Sequence, residues 1–387
     1  MATAGDIRGV LTTLNHQLPA GLDGTRIAQW RMREGRSYEE VRTQIANGFD
    51  DYNEEMLSAW GDMVTVTDLD YFEYPNGGTL IDMKQLSSGS RSDTVKGFTM
   101  GHMIDLLPYG QAIGGDWRYF RDTREAVVLA TVRAIVQAGR NLFDKALLTR
   151  FMTTTENKLG SSGYDVPFCN ANPNSGSGGP VYVPPQWNGK VFDETHTHYL
   201  GYNSSGGKTF DDVFAGLAQT INEHGHDGPY IAYVSEADTT TIRALTNYVK
   251  PVNNIQIIDR GGATSGNQYF ENGLILAAPA VGGRYIGAYD TGYGPVGLKA
   301  TNRLPTGYVA LYKSYGTMDP RNPIGVRIHP DFGFGFRLME IPSWETTWPV
   351  KEIDIEVEYG ISCGVNRTLG AAGYLVAGGV WANPTIN

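Results

Sequence analysis

Cysteine is almost missing from this chain: Cys169 and Cys363 are the only two in 387 residues. Two thiols exclude a disulfide framework and a thiolate-rich zinc cluster, and they point to synthesis in a reducing cytosol. Long apolar runs are missing too. The most apolar stretch, Leu274 to Val281, is broken by Pro279 and falls far short of the roughly 20 residues of a membrane-spanning helix. Met1 to Val10 holds no apolar signal-peptide core, so neither a secretory leader nor a membrane span is expected. Charge is sparse at 19%, and positive charge is sparser still, with 31 basic against 41 acidic residues and a net charge of −10. A chain of that sign forgoes the counterion release that drives general nucleic-acid binding, so any basic patch must be local. What is plentiful is glycine, at 49 of 387 positions against a usual share of about 7%, with no Gly-X-Y period. Many backbone positions must therefore turn tightly or approach other backbone closely. A 41% hydrophobic content supplies a globular core, and the length suits two or three domains.

Periodicity divides the chain. A short amphipathic piece around Ile7 to Leu14 precedes Tyr38 to Trp60, where Val41, Ile45, Phe49, Met56 and Trp60 recur at helical spacing. From Met63 the period becomes two, with Val64 and Val66 in a strand, and Pro75 to Gly78 marks a turn. A strand at Leu80 to Met83 leads into the polar run Lys84 to Lys96, an exposed loop or hairpin tip. Next comes a helix over Arg124 to Met152, with Val128, Val132, Ile135, Leu142 and Leu147 on one face and a capping box at Asp122 and Glu125. Gly139 inside it signals close packing or a bend. Residues 160 to 208 read as a loop-rich insertion with short strands at Val181 to Val183 and Thr195 to Leu200. An αβα unit follows: a helix from the Thr209 cap to Ile221, a strand at Tyr230 to Val234, and a second helix capped by Ser235 and containing Ile242 and Leu245. Further strands are expected at Ile255 to Ile258, Leu274 to Ala278, Tyr285 to Tyr289, Tyr308 to Lys313, Gly325 to His329, Phe334 to Glu340, Ile353 to Tyr359 and Tyr374 to Ala377. The layout is α+β.

Three constellations invite a chemical reading. Ser205-Gly-Gly-Lys208-Thr209 stands where a phosphate-binding loop would stand, but the first glycine of that motif should be at 202, which is Tyr202. A flexible turn ending in a helix cap explains the same residues. The pairs His196/His198 and His224/His226 have the i, i+2 spacing that places two imidazoles on one strand face, half of a zinc site. Nothing in the sequence brings the pairs together and no cysteine stands beside them, so no metal and no cofactor is expected. Asp354, Glu356 and Glu358 alternate with apolar residues, the pattern of a half-buried strand whose carboxylates face solvent or basic partners. No catalytic residues are assigned.

The order of parts resembles that of another group of proteins. Its carriers are the helix from Thr123 to Phe151, the run Phe210 to Leu245 with Tyr230-Ile-Ala-Tyr-Val-Ser-Glu, and the ending Ile353 to Gly360 and Gly364 to Gly378. Together they resemble the major capsid proteins of tailed bacteriophages, the Hong Kong 97 fold shared with encapsulin shells. The resemblance implies an N-terminal arm (1–62), an extended β-hairpin loop (63–118), a peripheral domain (119–159 and 305–362) with a long spine helix, the loop-rich insertion (160–204), and an axial domain (205–304 and 363–387).

By the same resemblance the chain is a non-enzymatic subunit of an icosahedral phage head. Hexamers and pentamers would enclose double-stranded DNA without binding it specifically, in a virion assembled in the bacterial cytoplasm. Portal, scaffolding and decoration proteins are the partners implied, and no membrane. Nothing from Met1 to Trp60 is long enough for a fused scaffolding segment, so a separate scaffold or none is expected. The hairpin tip would lie over a neighbour, making Lys84, Arg91 and Lys96 candidate intersubunit contacts; Lys84 and Lys96 with Asn366 would be the pairing for an isopeptide cross-link, ordinary solvated lysines being the plainer reading. The alternatives are an encapsulin-type compartment for protein cargo and a nucleotide- or metal-dependent soluble enzyme.

Overall fold

The computed structural model describes residues 32–33, 35–76, 98–116, 119, 122–159, 163–172, 181–250, 283–339 and 350–386. The expected elements at Ile7–Leu14, Leu80–Met83, Ile255–Ile258 and Leu274–Ala278 lie outside the described residues, as do Lys84, Arg91 and Lys96. In chain order the helices are α1 (Tyr38–Ser58), α2 (Glu125–Met152), α3 (Phe210–Asn222) and α4 (Thr239–Arg243). The strands are β1 (Val64–Thr67), β2 (Tyr71–Asn76), β3 (Phe98–Met103), β4 (Leu107–Asp116), β5 (Asn157–Leu159), β6 (Gly163–Asp165), β7 (Tyr199–Asn203) and β8 (Tyr230–Ser235). They continue as β9 (Tyr248–Val249), β10 (Arg284–Asp290), β11 (Pro295–Thr301), β12 (Tyr308–Lys313), β13 (Ile324–Arg327), β14 (Arg337–Met339), β15 (Val350–Cys363) and β16 (Gly370–Val376). The chain forms two compact units, one from Met1–Glu54, Pro108–Asn141 and Phe334–Glu358, the other from Glu55–Leu107, Leu142–Gly333 and Tyr359–Asn387.

In the first unit, Val41, Ile45 and Phe49 of α1 are buried, as their helical spacing implies. On α2 Val128 and Val132 are buried as expected, but the buried face continues through Val136, while Ile135 is half-buried and Leu142 exposed. The Asn53 amide clamps Phe336, accepting from its N–H at 2.7 Å and donating to its carbonyl at 3.1 Å. The Phe336 ring edge then fills the space of a Cβ at Gly139, 2.6 Å from where that atom would stand, so the glycine in α2 is there for close packing. Glu125 at the start of α2 takes Arg36 at 2.5 Å. β14 and β4 pair with β15, with Arg337 opposite Glu356.

The second unit is built on a seven-stranded mixed sheet in the order β7-β16-β12-β8-β11-β10-β9. It draws Tyr308–Lys313 from the span expected in the peripheral domain and Tyr199–Asn203 from the expected insertion. Residues Val213, Phe214, Leu217, Ala218 and Ile221 of α3 pack with Ala232, Val234, Leu298, Val309, Leu311 and Ala371 of the sheet. Gly373 admits the helix, because a Cβ there would stand 2.7 Å from Val213 Cγ1. The other side chains of the central strands meet aromatic rings: Tyr312 lies 6.1 Å from Phe151 of α2, and Tyr233 5.0 Å from Trp60. With both faces covered, central strands lose the apolar-polar alternation of a half-buried strand, and all of β12 but Lys313 is buried. By length and composition α2 could also cross a membrane, yet its Phe143, Leu147, Leu148 and Phe151 are fully buried.

Several boundaries differ from the sequence reading. Pro75 and Asn76 remain in β2, paired with Thr99 and Phe98 of β3, so they are not the turn. Among the described strands β2 pairs with β3 alone, and an edge strand is where a proline is tolerated. Val181–Val183 is not a strand, and its Tyr182 N–H donates singly to the Ala171 carbonyl at 2.9 Å. The second helix begins as a 3-10 turn at Glu236–Asp238, the Ser235 side chain makes no cap bond, and Leu245 falls beyond α4. From spacing alone β2 to β6, β9 and β11 were not anticipated.

Candidate functional site

Two of the three constellations resolve into local structure. Ser204–Gly206 is a 3-10 turn closed by Gly207 at φ +83°, and Lys208 turns back to Asp212 at 2.7 Å. The Thr209 N–H donates to the same carboxylate at 2.9 Å, the capping-box geometry expected of a turn entering a helix. The alternating carboxylates find a basic partner: Arg337 lies 2.9 Å from Glu358 and 3.7 Å from Glu356. Asn366 donates its amide to the Arg321 carbonyl at 3.2 Å.

The histidines behave otherwise. His198 immediately precedes β7, and the short ladder that holds it runs against residues 169–171: the His198 N–H donates to the Cys169 carbonyl at 2.7 Å and the Ala171 N–H to the His196 carbonyl at 2.9 Å. Extended backbone over 196–198 sends both imidazoles to one side, as the i, i+2 spacing requires. His224 arrives from the end of α3, where its N–H still bonds the Ile221 carbonyl before Gly225 breaks the helix at φ +83°. The three Nε2 atoms form a tight triangle, with 2.9 Å between His196 and His224, 3.0 Å between His198 and His224, and 3.2 Å between His196 and His198. Cys169 completes the group, and all four ligand atoms lie within 4.8 Å of one another. The expectation of separate pairs with no cysteine at hand is therefore corrected. One histidine comes from the second pair and the thiol from 27 residues upstream, neighbours made by sheet pairing and not by sequence. His226 points away, its Nε2 2.8 Å from Thr368 Oγ1.

Electrostatics keeps this group neutral in the absence of a cation. Burial holds His198 down at about 3 and lowers His196 and His224 as well; neighbouring imidazoles add to the effect at His198 and His224, while the Glu223 carboxylate opposes it at His196. Burial pushes the Cys169 thiol up, against the pull of the Arg367 guanidinium. Phe192 covers the group, with its ring stacked 4.2 Å from His224 and tilted against His196 at 4.6 Å. Lys190, two residues earlier, reaches Glu223 at 2.5 Å. Three imidazole nitrogens and one sulfur, all from the chain, make a donor set able to hold an ion and leave no position open for a substrate. Sequence reasoning missed Cys169 and Phe192; two His-X-His pairs within 31 residues were the signal that the region was unusual.

Beside this group, Arg367 is buried under the β2/β3 hairpin. Its guanidinium donates twice to the Pro167 carbonyl, at 3.1 and 3.0 Å, and once to the Tyr74 hydroxyl at 3.0 Å. It lies 4.3 Å from the Tyr182 ring centroid and 5.2 Å from that of Tyr74. Buried His102 of β3 bonds the Cys363 carbonyl at 3.1 Å and is lowered to about 3 by burial and by Arg367. The root of the hairpin is thus fixed from the core, while Leu69, Tyr71 and Met103 leave apolar side chains exposed along it.

No family model matches the sequence, and no curated protein matches it. Among solved structures, a chain from Mycobacterium phage Patience aligns with a TM-score of 0.59 at 19% identity, covering 92% of this chain and 93% of that one. A chain from the capsid of the native GTA particle gives 0.46 at 12% identity, covering 84% and 91%, and one from the capsid of Ralstonia phage GP4 gives 0.42 at 12%, covering 81% and 86%. The first likeness, nearly end to end, carries the assignment: the chain has the α+β, Hong Kong 97-type fold.

Proposed function

We propose that this chain is the major capsid subunit of a tailed phage, self-assembling into an icosahedral head around double-stranded DNA. The observation that carries the reading is the likeness over 92% of the chain to a phage structure. Two physical features support it. Apolar Leu69, Tyr71 and Met103 stand exposed at the root of a hairpin held to the core through Tyr74 and His102, a patch suited to contact with another copy. A net charge of −10 suits a container for DNA, since like charge keeps the contents from adhering to the wall.

On this reading hexamers and pentamers of the chain form the shell, and portal, scaffolding and decoration proteins join it in the host cytoplasm. Residues 63–118 act as the extended loop; 205–304 and 363–387, joined in one sheet by 199–203 and 308–313, act as the axial domain, and 119–159 with the rest of 305–362 as the peripheral domain. Lys84, Arg91 and Lys96 meet a neighbouring subunit. The subunit does no chemistry. The test is size exclusion and negative-stain microscopy of the purified chain with and without its phage partners. Shells or capsomer-sized rings are expected. A stable monomer that hydrolyses nucleotide, and stops on Lys208→Ala, overturns the reading.

A further inference from the structure

We propose that Cys169, His196, His198 and His224 form a structural zinc site that clasps the loop-rich segment before β7 to the end of α3. The argument begins with protons. His198 Nδ1 faces the Gly370 carbonyl at 2.7 Å, and a carbonyl only accepts, so Nδ1 carries the hydrogen and Nε2 is a bare lone pair. That lone pair points at two further Nε2 atoms, which are themselves 2.9 Å apart. The triangle has three edges and at most two N–H groups to serve them. Whichever tautomers His196 and His224 take, at least one edge sets two lone pairs or two N–H groups face to face. A cation inside the triangle removes the conflict on all edges at once.

Geometry selects the ion. Four ligands placed tetrahedrally at zinc bond lengths put nitrogens about 3.3 Å apart and sulfur about 3.6 Å from each nitrogen. The nitrogens here stand at 2.9 to 3.2 Å and the sulfur within 4.8 Å, so the thiol closes the site by a small side-chain movement. Mixed thiolate and imidazole ligands in that arrangement favour zinc among the divalent metals. The His198 to Gly370 bond is the outer contact that orients a ligating imidazole. On binding, the Cys169 S–H bond breaks, sulfur keeps the electron pair as a thiolate ligand, and the proton leaves to solvent, about one per ion. With the ligand sphere filled by the chain, the ion ties together the 169–171 turn, the 196–198 ladder and the C-terminal end of α3.

The experiment uses the full chain, expressed with zinc in the medium, dialysed and counted by inductively coupled plasma mass spectrometry. About one zinc per chain is expected. Cys169→Ser and His224→Ala should each reduce the retained zinc at least tenfold, and chelation should speed amide exchange across residues 187–198. Reconstitution with Co²⁺ gives the second readout: tetrahedral d–d absorption with a near-ultraviolet thiolate band, the band disappearing in Cys169→Ser. If a substituted chain does not fold, the cobalt spectrum of the unaltered chain decides. A folded wild-type chain without zinc, zinc that survives both substitutions, or an octahedral cobalt spectrum with no thiolate band overturns the proposal.

Discussion

Exchanging Arg367 for lysine should harm this protein more than exchanging it for methionine, although lysine keeps the charge. The guanidinium is 2% exposed, makes three hydrogen bonds and lies over two aromatic rings. Arg367→Met deletes charge-assisted bonds worth about 1.5–3 kcal/mol each, but it also deletes the several kcal/mol needed to bury an ion. What remains is chiefly the orphaned Pro167 carbonyl, since the Tyr74 hydroxyl keeps His102 Nδ1 at 3.4 Å, a loss of about 1–3 kcal/mol. Arg367→Lys retains the burial cost, gives up the planar fork that reaches Pro167 and Tyr74 together, and stacks on neither ring. Its loss should be about 3–5 kcal/mol.

The two variants also differ in their response to pH. A buried lysine titrates below its unfolded value of about 10.4, so the unfolded state binds more protons and the stability of Arg367→Lys rises as pH rises through that window. Arg367→Met has no such slope. Equilibrium urea unfolding of the unassembled chain at pH 7 and pH 9.5 measures both effects, and hydrogen exchange in β2 and β3 locates them. Lysine equal to or better than methionine at pH 7, or two parallel pH profiles, would show that the fork and the rings are not what holds the hairpin root.

Three further outcomes follow from the structure. His102 is held down at about 3, so its unfolded form, near 6.5, takes up the proton first; stability should fall as pH drops through that interval, by about 3 kcal/mol at pH 4, and His102→Gln should flatten the profile in a urea series. Gly201→Ala places a methyl in space filled by the Gly379 carbonyl and within 2.8 Å of the Trp381 N–H nitrogen, which side-chain rotation cannot relieve; a loss of about 2–3 kcal/mol and a change in Trp381 fluorescence are expected, and an unchanged melting temperature refutes the packing. Lys208→Ala removes an exposed i, i+4 pair and should shift stability by no more than about 0.5 kcal/mol with assembly intact, whereas loss of assembly would give that loop another role.

Much of the fold was legible where one period sufficed. The helices at Val41–Phe49 and Val128–Leu147 and the cap at Thr209 follow from local spacing, and the strand Tyr308–Lys313 matches its expected bounds. Pro295–Thr301 was missed because proline, glycine and lysine give it no strand signature; its place in the sheet comes from parallel pairing with Tyr230–Ser235 and antiparallel pairing with Arg284–Asp290. The zinc ligands were half visible. An i, i+2 pair on extended chain is a local fact, but the encounter of His198 with His224 and Cys169 depends on a helix end, a two-bond ladder and a strand 172 residues away whose carbonyl fixes the tautomer. No window along the sequence contains those three.

The strand order of the seven-stranded sheet also sets a clock. β16 is the last of the seven strands to leave the ribosome, yet it is inserted between β7 and β12, where it pairs on both edges. At roughly 5–20 residues per second, translation spends several seconds or more between Tyr312 and Val376 with that slot open. A nascent chain therefore cannot complete this sheet before Val376 has left the ribosome, and until then copies crowded on one messenger RNA lack the finished surface that the proposed assembly would use. For the proposed shell the topology would act as a check, deferring growth to chains that have been translated at least through Val376.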